Sequence, residues 1–320
     1  MTKNRKRKHH YIPKTYLKYF RDSKNFIHAY KLYSDPVEEC YGFYENFGYI
    51  KDYHRFKTDK EDYDHNSVED HLNENFESKW NNVVDAAIKK NLSNVLAKQM
   101  INFMCLMGTR VPAKRDGIEY FRAQIAENAS GIVFTPEENP ILNGSNIAIN
   151  PDMNLHDTFF LAIKGIEKLL KKMDYRVLHN QTDIPFLTSD NPFVYFEYNS
   201  TGEYHNLAHP FTSKTKHYEM FFPITPNHVI HGTPRLSDGS SFKYGYGEIT
   251  GKQFVKMINR LICKFSYDWI FSQERGPDEL INKYSKISPI LYTKVRDEAN
   301  IQGLEHGWIF GKKREKIKWE

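Results

Sequence analysis

The sequence predicts an α+β protein whose helical N-terminal half packs on a mixed or mainly antiparallel sheet formed largely by its C-terminal half. Two observations carry the prediction. Apolar residues recur at helical spacing up to about residue 172, as in Leu72, Phe76, Trp80 and Val83 or Val84, and in Phe159, Ile163, Ile166 and Leu170. After Asp174 the period changes to alternation, broken by Gly, Pro and Asn turns. With 320 residues and 40% hydrophobic content, the chain can bury a large core.

Taken in order, Phe26–Tyr33 reads as a strand, and the Tyr-, Phe- and Gly-rich stretch that follows, to about Thr58, reads as irregular. Ser67-x-x-Asp70 resembles a capping box opening a helix that runs to about Lys90. Ser93–Met107 is apolar nearly all round and predicts a central helix ended by Gly108. A loop through Thr109-Arg110-Val111-Pro112 leads to a third helix from about Ala113 to Asn128. Residues 131–152 read as a long loop or lid, and Leu155–Lys172 as an amphipathic helix. Tyr175–Leu178, Phe193–Tyr198, Tyr218–Phe222 and His228–Ile230 are strand candidates, followed by a helix over Gln253–Phe265 and a strand over Asp268–Ser272. The expected organisation is a basic arm (1–8), one α+β domain (9–311, helical over about 67–172 and strand-rich over about 174–295) and a basic tail (312–320).

The charge is unevenly placed. The net charge is +5, and Lys3, Arg5, Lys6, Arg7 and Lys8 alone supply as much. The tail adds about +3, so the body is close to neutral and slightly acidic. Such ends attract phosphates if they converge on a site, and are otherwise solvated. Cys40, Cys105 and Cys263 are widely spaced with no CxxC, which predicts reduced thiols in a cytoplasmic protein without a zinc–cysteine framework. No apolar run follows the basic start, which argues against a signal peptide. The most apolar stretch, Val95–Met107, is too short and polar to span a bilayer. No P-loop, dinucleotide fingerprint or HExxH helix is present.

The densest pattern is His9-His10-Tyr11-Ile12-Pro13-x-x-Tyr16-Leu17-x-x-Phe20. Pro13 biases Ile12 away from helical angles and suits the start of a helix, which Tyr16, Leu17 and Phe20 would anchor. In extended backbone His9 and His10 face opposite ways, so one imidazole is expected in a site and the other bonded structurally. Arg110-x-Pro112, Phe186-Leu-Thr-Ser-Asp190-Asn-Pro192 and Phe222-Pro-Ile-Thr-Pro226 follow in the chain. Together these motifs, over roughly residues 8–275, resemble a widespread bacterial and phage family of unknown function, numbered forty-two thirty-eight. The resemblance locates a site without supplying a chemistry.

The candidate catalytic residues are His9, His10, Glu77, Arg110 and Asp190. An imidazole suits proton transfer near neutral pH or metal ligation, Asp190 can act as base, ligand or imidazole orienter, and Arg110 can hold a phosphate. Ser189, Asn191, Lys6 and Arg7 are the substrate-binding candidates, and His10, Glu77 and Asp190 the candidate ligands of a divalent metal. Each has a plainer reading: Ser189–Asn191 as turn formers, Glu77 and Arg110 as a core ion pair. On an α-helix Glu69 and Glu77 stand about 80° apart. The expected function is a hydrolase, a nuclease or phosphodiesterase acting as toxin or anti-phage effector on nucleic acid or nucleotides. The alternatives are a non-catalytic sensor that signals to a defence partner protein, and an enzyme of NAD-type group transfer, which would need a deep pocket.

Overall fold

The computed structural model describes residues 7–32, 34, 36–57, 63–116, 166–167, 170–197, 207–208, 218–235, 242–285, 287–298 and 301–312. The arm up to Lys6, the lid 131–152, the C-terminal tail beyond Lys312 and most of the helices expected over 113–128 and 155–172 lie outside them.

The protein is α+β, but its strands are not confined to the C-terminal half. β1 (Lys8–His10), β2 (Phe26–Lys31), β3 (Glu38–Phe43) and β4 (Tyr49–Lys51), with two-residue strands at Phe56–Lys57 and Tyr63–Asp64, precede the first long helix. The expected segregation of helices and strands is therefore overturned. The cause is non-local pairing. β1 pairs antiparallel with β4, and β2 lies between β3 and Trp269–Ser272, whose other neighbour is Thr188–Ser189. β1 and β4, of three residues each, carry too few residues for a period, and each supplies the hydrogen bonds of the other.

A five-stranded sheet runs in the order Tyr244–Ile249, Met173–Asn180, His228–Pro234, Tyr218–Thr225, Val194–Glu197. Only its first pair is parallel. Met220–Thr225 is buried without interruption because both faces are covered. Met220, Phe222 and Ile224 join one core with Tyr16, Trp80, Phe103, Tyr175 and Ile230. Phe221 and Val229 join the other, with Val255, Ile258 and Ile262 of the helix Lys252–Phe265. The first core is stocked by α1 (Lys14–Leu17), α3 (Ser78–Ile88) and α4 (Asn94–Met107), and α2 (Ser67–Leu72) leads into α3. Trp80 stacks on Phe103 at 3.9 Å between centroids. No helix among the described residues is long and apolar enough to cross a membrane.

Local signals act much as elementary chemistry requires. Ser93 Oγ caps α4 by accepting from the Leu96 amide, and Gly108 follows its end. At the start of α2 the expected capping box is replaced by Asp64, whose carboxylate accepts from the Asn66 and Ser67 amides and the Ser67 hydroxyl. Gly48, at φ +69°, lets its carbonyl reach the Ile12 amide; a Cβ there would stand 2.9 Å from that of Ile12.

One pH response follows from the sheet. His228 stacks on His179 at 4.8 Å, and burial, reinforced by the positive field of His179 and Lys90, pushes its imidazole down to about 4 from an ordinary 6.5. Between those values the unfolded chain binds more protons than the folded one, so stability is lost as the pH falls from about 6.5 to 4. Melting temperatures across this window should decline less steeply for His228→Asn than for wild type. Parallel declines would mean that His228 does not contribute.

Candidate functional site

The first motif places its two histidines on β1, and the register with β4 sets them on opposite sides. His10 turns outward, its Nε2 donating to the Glu45 carbonyl at 3.1 Å, and burial lowers its basicity. His9 turns inward and is fully buried. Its Nδ1 accepts the backbone amide of His54 at 2.7 Å across a separation of 45 residues. The two rings stack, 5.6 Å apart and 10° from parallel.

His54 is the centre of the cluster. Its Nδ1 donates to Glu69 Oε1, which leaves the Nε2 lone pair buried and without a hydrogen-bond partner among the described residues. Burial pushes the ring down to about 4; the Glu69 hydrogen bond opposes this, and Arg110 adds to it. The imidazole is therefore neutral at physiological pH. Burial by itself would raise the Glu69 carboxyl, but the His54 hydrogen bond and the field of Arg110 outweigh it and hold the group below the ordinary carboxylate value. One donor atom from each of His9, His54 and Glu69 lies within 4.8 Å of the others, the arrangement of a potential cation site.

Behind this cluster Arg110 emerges from the end of α4 with a side chain fully withdrawn from solvent. Its Nη1 donates to Glu77 at 2.7 Å and its Nη2 to the His10 carbonyl. Glu77 reaches the guanidinium directly and Glu69 feels its field, and the helix that carries both carboxylates turns them to one side. Asn73–Glu77 forms a π turn between α2 and α3. The residue inserted by a π turn makes eight positions equivalent to seven, which shrinks the angle between the two carboxylates from about 80° to about 20°. Such turns often occur at functional sites.

The remaining sequence-derived candidates lie elsewhere or are engaged. Asp190 is fully buried, and its oxygens accept the Tyr267 and Asp268 amides at 2.8 and 2.5 Å. Ser189 Oγ accepts the Asn191 amide at 3.1 Å, and Asn191 Nδ2 donates to the Phe265 carbonyl at 2.9 Å. Asn259 of the helix Lys252–Phe265 braces the same segment, accepting from the Leu187 amide and donating to the Pro185 carbonyl, both at 2.9 Å. Tyr16 ties three motifs together: its hydroxyl meets Thr188 Oγ1 at 2.6 Å and the Pro223 carbonyl at 2.7 Å. Arg7 pairs with Asp52, at 3.2 Å from Nε and 2.7 Å from Nη2, and Lys6 lies outside the described residues. Among the described residues the group that could hold a cation, His9, His54 and Glu69, includes none of the ligand candidates His10, Glu77 and Asp190. Among the described residues no hydrogen bond of His10, His54, Glu69, Glu77 or Arg110 reaches Asp190.

Fold and site together define an α+β protein with a buried His–His–Glu cluster, backed by an arginine, where β1, the turn after β4 and α2 meet. The family model described as "Protein of unknown function (DUF4238)" matches residues 8–276, and the chain belongs to this family. No curated protein and no solved structure matches the chain.

Proposed function

We propose that this protein is a hydrolase of phosphoester bonds, with nucleic acid as its substrate class. The observation that carries the reading is the His54–Glu69 pair. A carboxylate fixes the tautomer of a buried, neutral imidazole, and the opposite ring nitrogen keeps its lone pair for a proton or a cation. General acid–base work of this kind supplies about 10²- to 10⁴-fold of rate. Glu69 and Glu77, with side chains 15% and 16% exposed, are the groups through which the cluster meets solvent. Lys8 and Lys14, exposed or partly so beside the site, favour a polyanion.

Arg110 supports this role from behind. With both terminal nitrogens committed to Glu77 and the His10 carbonyl, it positions β1 and shapes the field instead of gripping a phosphate. The sensor reading draws support from one observation: Ser189, Asp190, Asn191 and Arg110 are all engaged in internal bonds.

The two readings part on incubation of the purified protein with labelled RNA and with single- and double-stranded DNA. Cleavage by the wild type, reduced at least about 100-fold in His54→Ala with its circular dichroism unchanged, is the expected result. A folded wild type that binds nucleic acid without cleaving it would move the sensor reading ahead. Growth arrest on expression that is relieved by His54→Ala would support the finer expectation of a toxic or defence effector.

A further inference from the structure

We propose that His9, His54 and Glu69 bind one divalent first-row transition cation, with zinc as the representative ion. The proposal rests on the residues of the hydrolase reading and names their cofactor.

Geometry comes first. The three donor atoms lie within 4.8 Å of one another. Donors about 2.1 Å from a tetrahedral zinc ion stand about 3.4 Å apart, so side-chain adjustments of about 1 Å close the set. The second observation is the direct pairing of two of these donors. His54 is buried, and its Nδ1 meets the Glu69 carboxylate. An ion taken between His54 Nδ1 and Glu69 would replace the proton that the two share, the ring proton moving to Nε2, so the present hydrogen bond would give way to two adjacent donors.

Charge points the same way. Arg110 is bonded to Glu77 and reaches Glu69 only through its field, so one guanidinium serves two carboxylates and the cluster keeps a negative charge that a dication offsets. The donor types narrow the ion. Two imidazoles and one carboxylate suit zinc, iron or manganese, while magnesium and calcium prefer oxygen alone. Three protein donors leave a position for water, the composition of catalytic rather than structural zinc centres.

The test uses full-length protein stripped with EDTA, dialysed, and titrated with Zn²⁺ by calorimetry and with Co²⁺ by visible absorption. One equivalent of zinc per chain and the d–d bands of a low-coordinate cobalt site are expected. Both should be lost in His9→Ala, His54→Ala and Glu69→Gln, and retained in His228→Asn, which is altered away from the cluster. No uptake by folded wild type, or uptake unchanged in the folded Glu69→Gln and His54→Ala proteins, would overturn the centre. Stoichiometric zinc without phosphoester cleavage would leave the centre standing and overturn the hydrolase reading. Cleavage by protein that takes up no metal would do the reverse.

Discussion

Replacing Arg110 with methionine is expected to destabilise the protein by about 3–5 kcal/mol, the usual cost of removing one partner from a buried charge pair. The guanidinium is shielded from water and joins the Glu77 carboxylate to the His10 carbonyl. Without it Glu77 is left beside the apolar stripe of α3, and the end of β1 loses its tie to α4. Urea denaturation of Arg110→Met, Glu77→Gln and the double variant measures the coupling. The double variant should cost clearly less than the sum of the two single changes, because neutralising both partners removes the stranded charge. A loss below about 1 kcal/mol for Arg110→Met would mean that the pair is solvated in practice and behaves as a surface salt bridge. The fold effect reaches the site, because the His10 carbonyl it holds is adjacent to His9. His9 is therefore expected to lose order before the core melts.

Asp190→Ala is expected to cost about 2–6 kcal/mol, since two buried backbone amides, of Tyr267 and Asp268, lose their acceptor at about 1–3 kcal/mol each. Asp190→Asn should cost less, because its single carbonyl oxygen still serves one of the two amides. These variants separate a structural staple from a catalytic carboxylate. The staple predicts a lower melting temperature with the specific activity of the folded fraction retained. Wild-type melting with activity alone abolished would return Asp190 to the site. The same logic applies to Asn259, whose amide braces the Pro185–Leu187 backbone from the helix Lys252–Phe265.

Much of the architecture was legible in the sequence because it is local. The helix Asn94–Met107 has its capping serine, its apolar stripe and its closing glycine within one window. The strands Met173–Asn180, Tyr218–Thr225 and His228–Pro234 announce themselves by composition and turn residues. The opposite orientations of His9 and His10 follow from the pleat alone. The sequence motifs fall at junctions between elements, yet a motif does not say whether its residues bind a substrate or one another. In Phe186–Pro192 the polar side chains read equally well as a site or as turn formers, and only their partners, more than 70 residues away, discriminate.

The sequence by itself therefore determined the helical and strand segments with strong periods, the α+β class, and the placing of the histidine pair just ahead of a helix. Only the tertiary structure decided which carboxylates and imidazoles meet. His54 sits in a stretch without a period and reaches His9 because β4 pairs with β1, a contact whose hydrogen bonds are backbone and carry no side-chain signature. Glu69 joins the cluster because a π turn rotates it toward the face of Glu77, and an inserted residue of that kind is invisible to an analysis that assumes 3.6 residues per turn. β2 likewise completes its ladder with Trp269–Ser272, a partner far along the chain. Local sequence sets what each segment can become; the satisfaction of buried polar groups across long separations sets what the site is.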